Sequence, residues 1–380
     1  MKDTCVNVTG KLPSGLVELF TDIDKHAEAS AIEYLVVGAM ARDLVLVHGF
    51  GSNIERGTRD VDFGINVASW DEFGALIDSL LQAGYQQDKR KVHRLTCEDE
   101  EGRAWEIDII PFGKIADESN NIHWLPDQGF EMKIHGFMEA VEHALDVQIS
   151  EEPAIVIPVA SPVGTCLLKL VSWLDREVEL RAKDATDFSY LVQSYPKIPE
   201  IFNSLYEDDY METQEWDEFR ASSMKLGKDV AMIASRETTE FLKEELFNRP
   251  ARTEQFVRDM HGHDEKDLEQ CAGWFETFAE AFLEGGPPVN LPGMKAENPI
   301  TLFQGKVIKN AGHGVLAFVH STSTSSAWSC SRLPDKSRLL NAIYGVPLPL
   351  KPGVTVSGVL RQSHVPGWAA WRLSGPFQES

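Results

Sequence analysis

Arg59-Asp-Val-Asp-Phe-Gly-Ile-Asn66 alternates polar and apolar residues as a β-strand with one face in a core does. Upstream, Tyr34-Leu-Val-Val-Gly38 reads as a short buried strand ending in Gly, and the spacing predicts a helix over 39–48. Gly49-Phe-Gly-Ser-Asn53 reads as the loop between them. Leu16, Leu19, Phe20 and Ile23 fall at helical spacing and predict a first helix over 14–30. Beyond the alternating strand, Trp70, Phe73, Leu76, Ile77 and Leu80 predict a helix over 70–83, followed by strands near 91–97 and 104–112. A β-rich stretch at 120–135, a helix near 136–145 and a strand over Ile155–Val159 complete a mixed α and β region. From 161 to about 286 the periodicity is helical. Glu284-Gly-Gly-Pro-Pro288 reads as a linker, and the remainder as β with Gly and Pro punctuation. The fold class is therefore α+β, a mixed sheet with helices, then a helical region, then a small C-terminal β domain. The boundaries fall at 1–160, 161–286, a linker at 287–300, and 301–380.

Asp60 and Asp62 stand two residues apart on the alternating strand, so both carboxylates project from one face. Two such charges repel unless a cation lies between them. A hard divalent ion, Mg²⁺ or Mn²⁺, suits that arrangement and leaves room for substrate phosphates. Trp105-Glu-Ile-Asp-Ile-Ile-Pro111 offers Asp108 as a third acid on a neighbouring strand, where apolar flanks make a lone carboxylate costly. Three such acids have the chemistry to hold two metal ions, one activating an attacking hydroxyl and one steadying a triphosphate and its leaving pyrophosphate.

The order strand, Gly38, helix, Arg56-x-Thr58-x-Asp60-Val-Asp62 resembles the nucleotidyltransferase domain of AbiEii-type toxins, a branch of the polymerase-β-like superfamily. Ser161-Pro-Val-Gly-Thr-Cys-Leu-Leu-Lys169, Arg176 and Lys183-Asp184-Ala-Thr-Asp187-Phe resemble that family's helical motif. Together these motifs span about residues 34–192. The resemblance implies a polymerase-β-like nucleotidyltransferase fold and an enzyme that moves a nucleotide from an NTP to an acceptor hydroxyl. It implies metal ligands at Asp60 and Asp62, with Asp108 as third ligand or base. It places Lys169 on the nucleotide phosphates, Asp184 in support, and Gly38, Arg42 and Thr58 around the nucleotide. It also implies an antitoxin partner. The family's Gly-Gly-(Ser/Thr)-Ala stands here as Gly38-Ala39-Met40-Ala41, which removes one close backbone approach and one hydroxyl from phosphate binding. Arg42 is near enough in sequence to compensate. Lys169 also reads as a snorkelling residue on an apolar helix. Asp184 and Asp187 share a helix face, Asp184 as the site residue and Asp187 as a cap or surface partner.

The net charge of −23 is uneven. Residues 301–380 hold eight Lys or Arg against two acids, a local +6 that leaves −29 on the first 300 residues. An acidic body repels nucleic acid at long range, whereas the basic tail attracts it. Within the tail, the stretch 303–320 faintly resembles the opening strands of a cold-shock-type OB barrel. Phe318, His320, Trp368 and Trp371 are candidates for a base-stacking platform or for the core of a small β domain. His261-Gly-His263-Asp264 reads as a loop and N-cap before a helix at 265–284 rather than a zinc site. Five scattered cysteines without a CxxC pair exclude a disulfide framework and point to a reducing, cytoplasmic compartment. No apolar run approaches the roughly 20 residues of a membrane span, and no signal peptide is visible. Three functions follow: a Mg²⁺-dependent nucleotidyltransferase acting on an RNA end, one acting on a cationic small molecule, or a degenerate nucleotidyltransferase fold serving as a binding module.

Overall fold

The structure is a computed structural model. It describes residues 5–54, 60–89, 91–124, 131–261 and 268–285, and the backbone of 302–306, 309–310, 315–316, 355–362 and 371–379. The chain divides into two units, residues 1–286 and 287–380.

The first unit is built on an eight-stranded mixed sheet. Its strands are β1 (Val6–Asn7), β2 (Glu33–Val37), β3 (Asp60–Asn66), β4 (Gln86–Gln87), β5 (Arg94–Glu98), β6 (Ala104–Phe112), and, beyond the small β7 (Asn121–His123) and β8 (Glu131–Lys133) hairpin, β9 (Leu145–Glu151) and β10 (Ala154–Val159). Their order across the sheet is β1-β9-β10-β2-β3-β6-β5-β4. The alternating stretch is central: β3 runs antiparallel to β2 and parallel to β6.

Alternation sorts each strand into two faces. Val61, Phe63 and Ile65 of β3 are buried together with Ile107 and Ile109 of β6. They pack under α1 (Ser14–Ala29) and α3 (Trp70–Gln82), and Phe20 of α1 meets Phe63 edge-on at 6.0 Å. A fully buried Phe of this kind is worth about 3–5 kcal/mol against Ala. On the other face, α4 (Phe137–Glu142) presses Phe137 onto Phe112 at 5.2 Å, and a Cβ on Gly64 would stand 2.9 Å from the Phe137 ring. Gly64 is thus what lets α4 reach the sheet.

The helix expected near 136–145 ends at Glu142, and residues 145–151 form a strand instead. Leu145, Val147 and Ile149 alternate with Asp146, Gln148 and Ser150, and Val147 and Ile149 are buried, so period two prevails there. The helix after Gly38 is α2 (Gly38–Arg42), continued by a wider π-helical turn over Asp43–Gly49.

α5 (Pro162–Asp175) starts where the sequence provides a capped, Pro-initiated helix: the Ser161 hydroxyl accepts from the Gly164 N–H, and Pro162 occupies the first turn. α5 gives Leu168 to the sheet core and Cys166, Leu167, Leu170, Val171 and Trp173 to a second, helical core. α6 (Ala182–Ser194), α7 (Glu218–Ile233), α8 (Pro250–His261) and α9 (Leu268–Gly285) enclose that core, with Phe188 ringed by Phe256, Phe275 and Phe278. Among the described residues no helix is long and apolar enough to cross a membrane.

In the second unit, residues 302–306, 355–362 and 371–379 form a three-stranded antiparallel sheet, and 309–310 pairs with 315–316. Phe318, His320 and Trp368 lie outside the described residues, and Trp371 is described only as the first residue of a strand. The OB-like expectation therefore falls largely outside them. His263 and Asp264 also lie outside, and His261 ends α8.

Candidate active site

Strand register decides which acids meet. Asp60 lies beside Glu106 and Asp62 beside Asp108 on the parallel pair β3–β6, and Asp108 in turn lies beside Arg94 on β5. Partners in register share a face, and neighbouring strands are about 4.8 Å apart. The open face of the sheet therefore carries Asp60, Asp62, Glu106, Asp108 and Arg94 in two adjacent rows. Arg94 donates from Nε to Asp108 Oδ1 and from Nη2 to Oδ2, both at 2.6 Å, and also pairs with Glu106. Its Asp108 bonds, reinforced by the neighbouring acids, hold the guanidinium pKa above its ordinary value.

Asp62 sits where β2 ends. Gly38 has φ of +73°, and a Cβ there would fall 2.0 Å from Asp62 Oδ2. Only glycine allows both this backbone conformation and this approach. Asp62 keeps a partial opening to solvent, yet lost hydration is the largest influence on it, and Asp108 adds like charge. Lys169 and Arg176 oppose these effects, and the carboxyl is pushed up to about 6. Such a carboxylate gains most from a bound cation.

Opposite this acidic face, α2, α5 and α6 are joined by a buried chain of alternating charges. Arg42 donates from Nε and Nη2 to Asp43 Oδ1 at 2.9 and 2.7 Å and from Nη1 to Asp187 Oδ1 at 2.5 Å, with its guanidinium 4.6 Å from the Tyr190 ring centre. Asp187 also meets Lys169 Nζ at 2.7 Å, Lys169 donates to Asp184 Oδ1 at 3.0 Å, and Arg176 Nε lies 3.3 Å from Asp184 Oδ2. Burial alone would lower the Lys169 pKa, but Asp184 and Asp187 outweigh it and raise it. Arg42, Asp184 and Asp187 are all buried. Asp187 is thus no cap or surface partner, because its carboxylate is an inner link between two cations. Lys183 at the start of α6 is exposed, with Arg176, Asp184, Lys169 and Asp62 around it. Partial loss of hydration and the nearby Arg176 lower its pKa.

Asp60 and Asp62 supply hard oxygens on one strand, the donor type a Mg²⁺ or Mn²⁺ ion takes, and the raised Asp62 carboxyl fits such an ion. Asp108 enters as Arg94's partner. Among the described residues no group of three His, Cys, Asp or Glu is placed to hold a metal ion. Arg94 takes one lone pair on each Asp108 oxygen and leaves the other available.

A family profile described as "Nucleotidyl transferase AbiEii toxin, Type IV TA system" matches residues 26–282, covering β2, β3, β6 and the helices of the charge chain. The chain belongs to the AbiEii family. It is accordingly a nucleotidyltransferase of the toxin–antitoxin type, with an α+β fold of mixed sheet and helices.

No curated protein matches this AbiEii chain significantly. Among solved structures it is similar to an antigenic nucleotidyltransferase-like protein from Paracoccidioides brasiliensis (14% identity, 55% of this chain and 93% of that one, TM-score 0.34). It is also similar to the antibiotic-resistance factor ANT(2'')-Ia (13%, 54% and 97%, TM-score 0.27). A third is the Thermotoga maritima CCA-adding enzyme, solved with tRNA (10%, 76% and 87%, TM-score 0.21). The family assignment rests on the sequence match.

Within the AbiEii chain, Asp60, Asp62 and Asp108 share the open sheet face, while Lys169 and Asp184 join one ion network on the helices. Thr58 and Arg56 lie outside the described residues. Arg94 was not expected, since its place beside Asp108 follows from β5–β6 register alone. Asp187 was visible in the motif, but its burial depends on the packing of α6 against α5 and α2.

Proposed function

We propose that this AbiEii chain transfers a nucleotide from an NTP to an acceptor hydroxyl, with a divalent cation held by Asp60 and Asp62. The observation that carries this reading is the convergence on Asp62 of like charge from Asp108 and opposite charge from Lys169 and Arg176. Acids for a cation and bases for phosphate are thus neighbours around Asp62. When bound, Mg²⁺ supplies charge neutralisation on the triphosphate and activation of the acceptor hydroxyl. Gly38 brings the α2 backbone against the Asp62 carboxylate, leaving no side chain between the turn and the phosphates. Lys183 and Arg176 orient the triphosphate from the helical side, because Lys183 is exposed and Arg176 is one-third exposed. Lys169, engaged by Asp184 and Asp187, acts on the phosphates through its charge and ties the middle of α5 to the first turns of α6. Asp108 keeps a free lone pair on each oxygen toward the acceptor. Arg42 closes the seam between α2 and α6, which assigns it to positioning rather than phosphate contact.

An RNA end as acceptor is supported by the +6 charge of residues 301–380. A basic antitoxin fits the acidic body and the family's toxin–antitoxin description. The test is incubation with Mg²⁺, each labelled NTP and total tRNA, beside an Asp60→Ala/Asp62→Ala control. Label on RNA that vanishes in the control supports the reading. NTP binding that is unchanged in the control, with no transfer from any NTP, removes the cation-site assignment.

A further inference from the structure

The open face of the sheet carries four carboxylates, Asp60, Asp62, Glu106 and Asp108, and the guanidinium of Arg94 pairs with two of them, Asp108 and Glu106. Arg94 is not a casual surface partner. Its side chain and that of Asp108 are 16% and 15% exposed, and both Asp108 oxygens accept from it at 2.6 Å. Bidentate guanidinium–carboxylate pairs combine fixed geometry with charge-assisted strength. The backbone enforces the pairing, because Arg94 and Asp108 are register partners on adjacent antiparallel strands. Glu106 takes the remaining branch of the fork, and Asp60 adds a favourable field. Swinging the guanidinium away would leave two partly buried carboxylates facing each other.

We propose that Arg94 is a built-in cation in the place of a second metal ion, so that the site takes one exchangeable divalent ion, at Asp60 and Asp62. This rests on the cation site proposed above and changes its stoichiometry. A second ion at Asp108 would sit within a few ångströms of a fixed positive charge, because Arg94 donates to both Asp108 oxygens. Arg94 is thus a positioning residue: it acts through Asp108 and Glu106, neutralising and orienting them. Its charge is permanent, whereas an ion would exchange with solvent.

The experiment is a Mn²⁺ titration of the full chain, counting bound ions by electron paramagnetic resonance, with Asp62→Asn to identify which ions belong to the site. The wild type is expected to hold one Mn²⁺ that Asp62→Asn removes. Arg94→Met is expected to hold two such ions, their resonance broadened by coupling at short distance. Arg94→Lys, which retains the charge, is expected to stay at one. Two Asp62-dependent ions in the wild type overturn the inference and leave the cation site standing. A folded Arg94→Met that still binds one also overturns it. No Asp62-dependent ion in any form removes the cation site itself and the inference with it. Should Arg94→Met fail to fold, the wild-type and Arg94→Lys counts decide.

Discussion

Replacing Asp62 with Asn should stabilise the protein at neutral pH when no divalent cation is present. The Asp62 carboxyl is pushed from 3.8 to about 6, first by lost hydration and then by Asp108. Its folded pKa lies above the unfolded one, so the folded state binds the extra proton between them. The stability linked to that proton is present below about pH 4 and is lost as pH rises through about 6. A shift of about two units corresponds to about 3 kcal/mol, an upper value because Asp62 keeps some solvent contact. The isosteric Asp62→Asn removes the titration while keeping the shape beside Gly38. Urea unfolding in EDTA at pH 4.5, 6.0 and 7.5 is the assay, with equal m-values as the check on two-state behaviour. The variant's advantage should be about 1–3 kcal/mol at pH 7.5 and about a third of that at pH 4.5. Adding Mg²⁺ should then raise only the wild type, by about 2.7 kcal/mol at a hundredfold excess over Kd. A variant less stable than wild type at pH 7.5 in EDTA, or a stability difference independent of pH, would refute the reasoning.

Three further expectations bear on neighbouring residues. Gly38→Ala should cost about 1–2 kcal/mol in stability for its left-handed backbone. It should also lower nucleotidyl transfer about a hundredfold by displacing Asp62, as measured by label transfer at saturating NTP. Asp187→Asn should destabilise the chain by about 3–5 kcal/mol in urea, because it leaves Arg42 and Lys169 buried with one acid fewer, whereas a surface partner would cost under about 1 kcal/mol. Lys183→Met should leave the melting temperature nearly unchanged, the residue being exposed, while raising KM for the triphosphate about tenfold or more through loss of one charge-assisted contact.

Much of the fold was legible because period is a local property. The alternation of 59–66, the apolar stripe of 70–83 and the capped start at Ser161 each specify an element without reference to the rest of the chain. The same rule applied to Leu145–Glu151 would have revealed the strand there, which a helix reading of 136–145 obscured. That Asp60 and Asp62 share a face follows from their spacing, since residues two apart on one strand do, and Lys169 and Asp184 stand in one motif. Tertiary structure alone decided who their neighbours are. Asp108 meets Arg94 because β5 pairs with β6 in one register, and a one-residue slip would turn Arg94 to the opposite face. Asp187 is an inner link rather than a surface acid because α6 packs against α5 and α2, a contact between segments about 145 residues apart. Charge partners of this kind are set by distances in space, and local periodicity carries no information about those distances.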